Sequence, residues 1–226
     1  MSNCSVVYKN RFDPRYGMLI LIVLASCSGR KRYANTPIAT NRQPATDTVS
    51  IHSQVPPPSR QYRIADAGNR EVALIGLGDP ASIRTGATTL SRVIRNGKSK
   101  YRDANNRNIY EIKYSDDGFK LRDESGNLIW KLKYKEGKLK IADNEEMTNP
   151  YEVKKKGDVA VITRNDQPVA SFDLGGGAGP AIIKAGGNPL TVTGPDKNPV
   201  FALLGLSGIP QDQQLVLITE VLIAGR

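Results

Sequence analysis

The stretch Phe119–Ala142, "FKLRDESGNLIWKLKYKEGKLKIA", decides how this chain folds. Trp130, Leu132 and Tyr134 alternate with Lys131, Lys133 and Lys135, and Leu139 and Ile141 continue the pattern after Glu136-Gly137. A period of two marks half-buried β-strands. Asp123, Gly126 and Asn127 supply one turn and Glu136-Gly137 a second. Such residues tolerate left-handed backbone or hydrogen-bond their own main chain.

The same unit recurs outward in both directions. "KYRDANNRNIYEIKYSDDG" precedes it, and "KLKIADNEEMTNPYEVKKKGD" and "VAVITRNDQPVASFDLGGG" follow. Each reads as strand, polar turn, strand, tight turn. Tyr110, Ile112 and Tyr114 repeat the alternation. Asn96-Gly97 sets a further two-residue hairpin between "SRVIR" and "KSKYR". "AIIK" (181–184) and "PLTV" (189–192) add strands downstream. About ten to twelve short antiparallel strands result, so a curled sheet or closed barrel is expected. Residues 62–89 hold the apolar run "VALIG" and the turn "GLGDP" but no clear period.

The chain ends in another pattern, "GIPQDQQLVLITEVLIAGR". Pro210 and Asp212 are helix-start signals and Gly225 a stop. From Leu215 to Ile223 the helix is apolar nearly all round, which marks a buried helix, and it is too short to span a bilayer. The expected fold is therefore mainly β, an antiparallel hairpin-repeat sheet or barrel around one hydrophobic C-terminal helix. Through the "LRDESGNLIWKLKY" hairpin and this helix, residues 92–226 resemble the tubby-like superfamily, which includes the LURP-one-related proteins. That resemblance implies a closed twelve-stranded barrel that often binds membranes or phosphoinositides; it carries over no contact residue.

The N-terminus reads as an address. Lys9, Arg11 and Arg15 precede an apolar run of about ten residues, Gly17 to Ser26. A bilayer span needs roughly twenty residues, whereas a signal-peptide core needs only about 7–15. Leu24-Ala25-Ser26-Cys27 resembles the bacterial lipobox, which implies that Cys27 is lipidated and becomes the mature N-terminus. Residues 1–26 are then a signal peptide and residues 27–61 a Pro-rich tether. Residues 62–226 form the globular domain. Multiple acyl chains suffice for stable membrane anchoring. Ser28 follows the cysteine rather than Asp, which favours the outer membrane, on its periplasmic side or surface, in an organism with two membranes.

Composition narrows the chemistry. Cys4 and Cys27 are the only cysteines and His52 the only histidine. Disulfides, Cys- or His-based metal sites and Ser-His-Asp or Cys-His catalysis are therefore not expected in the domain. No enzyme activity, cofactor or metal is expected. The net charge is +10, of which residues 1–26 carry +2. If Glu136-Gly137 is a two-residue turn, Lys135 opposes Lys138 and Lys133 opposes Lys140. Lys131 joins them on one outward face. Like charges placed opposite are mildly destabilising, so the five lysines are candidates for holding an anionic lipid or glycan. A solvated face guarded against edge pairing is the other reading. Exposed aromatics for base stacking are missing, so nucleic acid is not expected. The expected partners are the membrane through Cys27, an anionic lipid or glycan, or, as the alternative role, another envelope protein in an assembly. The glycine runs of 175–189 lack the βαβ context of a dinucleotide site. The acidic turns Asp116-Asp117 and 123–127 do not match a calcium loop.

Overall fold

A computed structural model describes residues 7–12, 19–24, 60–86, 88–175, 180–184 and 189–225. The chain divides into two units, residues 1–53 and 54–226. In the first, strand β1 (Val7–Phe12) pairs antiparallel with β2 (Leu19–Leu24). The apolar run Gly17 to Ser26 includes β2, and Cys27 lies outside the described residues.

The second unit is a closed antiparallel barrel of fourteen strands. They run β3 (Gln61–Ala65), β4 (Glu71–Gly76), β5 (Ser82–Thr85), β6 (Thr88–Arg95), β7 (Lys98–Arg102), β8 (Asn108–Ser115) and β9 (Gly118–Asp123). Then come β10 (Leu128–Lys135), β11 (Lys138–Ala142), β12 (Tyr151–Lys156), β13 (Val159–Arg164), β14 (Gln167–Asp173), β15 (Ala181–Lys184) and β16 (Leu190–Thr193). Each strand pairs with its neighbours in sequence, and β16 closes onto β3 with Val192 opposite Ile64. The expected barrel is present with more strands than the expected ten to twelve. Residues 62–89, which showed no clear period, contribute to β3, β4, β5 and the start of β6.

Turn chemistry sets the two ends of the barrel. At one end lie two-residue turns: Asn96-Gly97 (φ 51° and 70°), Asp116-Asp117, Glu136-Gly137 (φ 54° and 71°) and Gly157-Asp158. At Asn96-Gly97 and Glu136-Gly137, positive φ at both central residues matches the right-handed twist of the flanking strands. At the other end, Asp66, Asp103 and Asp123 each open a five-residue turn. Asp103 Oδ1 accepts from the Asn105 and Arg107 backbone N–H groups, and Arg107 Nε donates to Oδ2. Asp66 and Arg70 repeat this arrangement. The fourth residue of each turn is left-handed: Asn69, Asn106 and Gly126. Gly118, which opens β9, has a different constraint, because a Cβ there would lie 1.9 Å from the Leu132 carbonyl oxygen of β10.

Barrel diameter grows with strand number, and about eight strands already make an interior that side chains alone fill. Fourteen strands need an additional filler. The α-helix α1 (Gln211–Ile223) supplies it, with every residue from Gln214 to Leu222 buried. A 3-10 helix (Pro199–Gly205) adds Val200, Phe201, Ala202 and Leu203. Phe201 packs between Tyr62 and Phe172, with ring centroids 5.1 and 6.0 Å away. The buried polar residues of α1, Gln214, Thr219 and Glu220, are each satisfied. Gln214 donates to the Leu206 and Ile209 carbonyls, and Thr219 to that of Leu215. At its N-terminal end Trp130 Nε1 donates to Gln213 at 2.7 Å, and the Tyr110 hydroxyl donates to Asp212. No helix among the described residues is long and apolar enough to cross a membrane.

Candidate functional site

The lysine face is built as its alternation dictates. Lys133 opposes Lys140 and Lys135 opposes Lys138 across the Glu136-Gly137 turn. Trp130, Leu132, Leu139 and Ile141 are buried and Tyr134 is half-buried, so the five lysines project outward. Lys131, Lys133, Lys135 and Lys140 line one depression of about 380 Å³, whose far wall includes Glu145, Met147 and Glu152. Lys138 lines a separate cleft at the turn end of the hairpin.

Carboxylates offset much of the like-charge repulsion. Glu145, from the loop between β11 and β12, lies 2.7 Å from Lys120 and 3.2 Å from Lys131. Lys131 also donates to the Glu145 carbonyl oxygen. Asp117 is 2.6 Å from Lys133, and Glu152 is 2.8 Å from both Lys140 and Lys154. Hydrogen bonds from Lys140 and Lys154 hold the Glu152 carboxyl down at about 2. Those from Lys120 and Lys131 lower Glu145, and that from Lys133 lowers Asp117. The charge of the face is thus unevenly matched. Lys135, 67% exposed, reaches only Glu136 at 3.8 Å. Among the described residues Lys138 and Lys155 form no ion pair.

A second cluster escaped sequence reasoning altogether. Glu220 of α1 is fully buried and accepts from Arg92 Nε and the Tyr101 hydroxyl, each at 2.8 Å. The Tyr114 hydroxyl donates to its other oxygen and contacts Ser99 Oγ at 2.8 Å. Burial, followed by the Glu220 charge, pushes the Tyr101 hydroxyl well above its ordinary value. Burial alone would lower Arg92, but its hydrogen bond to Glu220 and the attraction between them raise it. Both carboxylate oxygens are occupied by protein donors, so the cluster ties the helix to β6, β7 and β8.

Turn chemistry accounts for the acidic turns. Asp117 pairs with Lys133, and Asp123 accepts from the backbone N–H and side-chain amide of Asn127. "AIIK" is strand β15, while residues 176–179 and 185–188 of the glycine runs lie outside the described residues, as does His52. No protein-family model matches this chain, and neither a curated protein nor a solved structure is significantly similar to it.

Proposed function

We propose that this chain is a non-enzymatic, lipid-anchored protein of the bacterial envelope, and that its barrel holds an anionic lipid or glycan on the face of Lys131, Lys133, Lys135, Lys138 and Lys140. One observation carries the reading: four of these lysines converge on a single outer depression, while α1 and the 3-10 helix occupy the interior. Recognition therefore falls to the outside of the barrel. A hydrophobic helix within an antiparallel barrel is also what the tubby-like resemblance implies, here with fourteen strands rather than twelve.

The test uses the chain with Cys27→Ala, so that only the barrel can hold a vesicle. Co-sedimentation with phosphatidylglycerol vesicles, or capture by a sulfated glycan, is expected at low salt and should weaken as the Debye length falls to about 8 Å. A lysine near an anionic surface contributes up to about 1 kcal/mol. Lys133→Gln with Lys140→Gln should therefore weaken binding several-fold. Binding to neither probe, or binding indifferent to both salt and these lysines, would leave docking to another envelope protein as the role of the barrel. The anchor has its own readout: mass spectrometry of the native protein should find Cys27 acylated.

A further inference from the structure

A cleft of about 360 Å³ opens at the two-residue-turn end of β10, β11 and β12. Its floor is apolar and comes from four elements: Leu139 of β11, Val153 of β12, Val200 of the 3-10 helix and Val221 of α1. Its rim carries Lys135, Lys138 and Lys155 together with Glu136, which pairs with Lys135 at 3.8 Å and leaves Lys138 and Lys155 as the net positive charge. Lys155 occupies an unusual position. Tyr151 and Val153 are buried, so β12 turns its odd-numbered residues toward the interior, and Lys155 continues that register. At the last turn of the barrel wall, a residue on the inward face is thus a lysine with no carboxylate partner among the described residues. A long aliphatic stem can lie along apolar surface while its ammonium stays in water. Lys138 brings a second cation without an ion pair to the same rim.

We infer that this cleft binds an anionic single-chain amphiphile, with its acyl chain on the floor of Leu139, Val153, Val200 and Val221 and its headgroup between Lys138 and Lys155. The volume lies within the range of small-molecule sites, about 300–1,000 Å³, and the combination of apolar lining with a few convergent charges is what orients a ligand. An anionic glycan would leave the floor unused, whereas a chain with a charged end satisfies both parts. This inference rests on the anionic-ligand reading of the adjacent face and narrows it from lipid or glycan to lipid.

Calorimetric titration of the Cys27→Ala chain with octanoate, decanoate and dodecanoate, below their micelle concentrations, tests it. Affinity should rise with chain length by up to about fourfold per methylene buried. Lys138→Gln with Lys155→Gln should weaken dodecanoate at least fivefold, and the corresponding Arg pair should restore it. Lys113→Gln, exposed on β8 and outside the cleft lining, should leave dodecanoate unchanged. Absent dodecanoate binding, affinity indifferent to chain length, or affinity indifferent to Lys138 and Lys155 overturns the inference. Vesicle sedimentation distinguishes the two failures. If vesicles still bind through Lys133 and Lys140, only the cleft assignment falls. If dodecanoate binds but vesicles and glycan do not, the outer face is not a site.

Discussion

Two carboxylates show how differently the inside and the outside of this barrel use charge. Glu220 is buried and has one cation, Arg92, and two tyrosine hydroxyls around it. Glu152 sits on the outer sheet between two lysines, with a fifth of its side chain exposed. A buried carboxylate without partners is very costly, so inside the barrel the whole cluster must be present together. Outside, water screens each pair, and an exposed ion pair contributes only about 0–1 kcal/mol. The interior cluster therefore fixes the position of the helix, whereas the pairs of the outer ladder are each weak enough to break singly.

The largest effects should come from breaking the interior. Deleting residues 209–226 removes α1 from a barrel too wide for its own side chains to fill. The expected result is loss of the cooperative thermal transition and of near-ultraviolet circular dichroism. A truncated chain that still melts cooperatively would mean that the strands close without their helix. Glu220→Ala is the next step down. It leaves Arg92 as an uncompensated charge and the Tyr101 hydroxyl without its acceptor. Removing one partner of a buried pair costs about 3–5 kcal/mol. Glu220→Gln keeps an acceptor for Tyr101 and should cost less. Urea unfolding of both variants checks the order, and equal stability of Glu220→Ala and the parent would show that the cluster contributes nothing to the fold.

The inside and the outside also differed in how far the sequence revealed them. The outer ladder was legible down to its register, because Glu136-Gly137 between alternating strands has essentially one way to pair. The burial of the helix was legible from Leu215 to Leu222, whereas Ile223, part of the same apolar run, is 39% exposed. Strands β3 to β5 were not, although a signal was present: Asp66-Ala-Gly-Asn-Arg70 repeats Asp103-Ala-Asn-Asn-Arg107 almost residue for residue. Both form the same Asp-centred turn, so the first hairpin could have been aligned on the second. The 3-10 helix had no such marker, since "PVFALLG" is a short apolar run without a period. The Glu220 cluster was hidden because its partners lie more than a hundred residues away. Glu145 was hidden in a similar way, as a loop residue folded back onto Lys120 and Lys131.

On the outside, acid should separate Glu152 from its lysines. Its folded carboxyl titrates at about 2, below the roughly 4.3 of an unfolded glutamate. A depressed folded value means that the unfolded state binds the proton first. The contribution of Glu152 to stability is thus fully present above about pH 4.5 and is lost as the pH falls toward 2. Glu152→Gln should be slightly less stable than the parent at neutral pH, and the difference should shrink between these limits. A gap that stays constant down to pH 2 would mean that Lys140 and Lys154 do not hold the carboxylate.

The smallest effect should come from the lysines themselves. Considered as a like-charge pair, Lys133 and Lys140 repel, and replacing both with Gln would be expected to raise stability. Their partners reverse that expectation. Lys133 is 2.6 Å from Asp117 and Lys140 is 2.8 Å from Glu152, and the attraction to Glu152 raises Lys140 above its ordinary value. The double substitution removes one repulsion and two attractions, all of them screened by solvent. The melting temperature should therefore fall, by no more than about 2 °C, and the fall should shrink at high salt. A rise instead would show that the carboxylates do not neutralise the ladder. Its repulsion would then be unrelieved in the free protein, and vesicle binding unchanged by the same double substitution would leave the lysines as a solubility device rather than a ligand face.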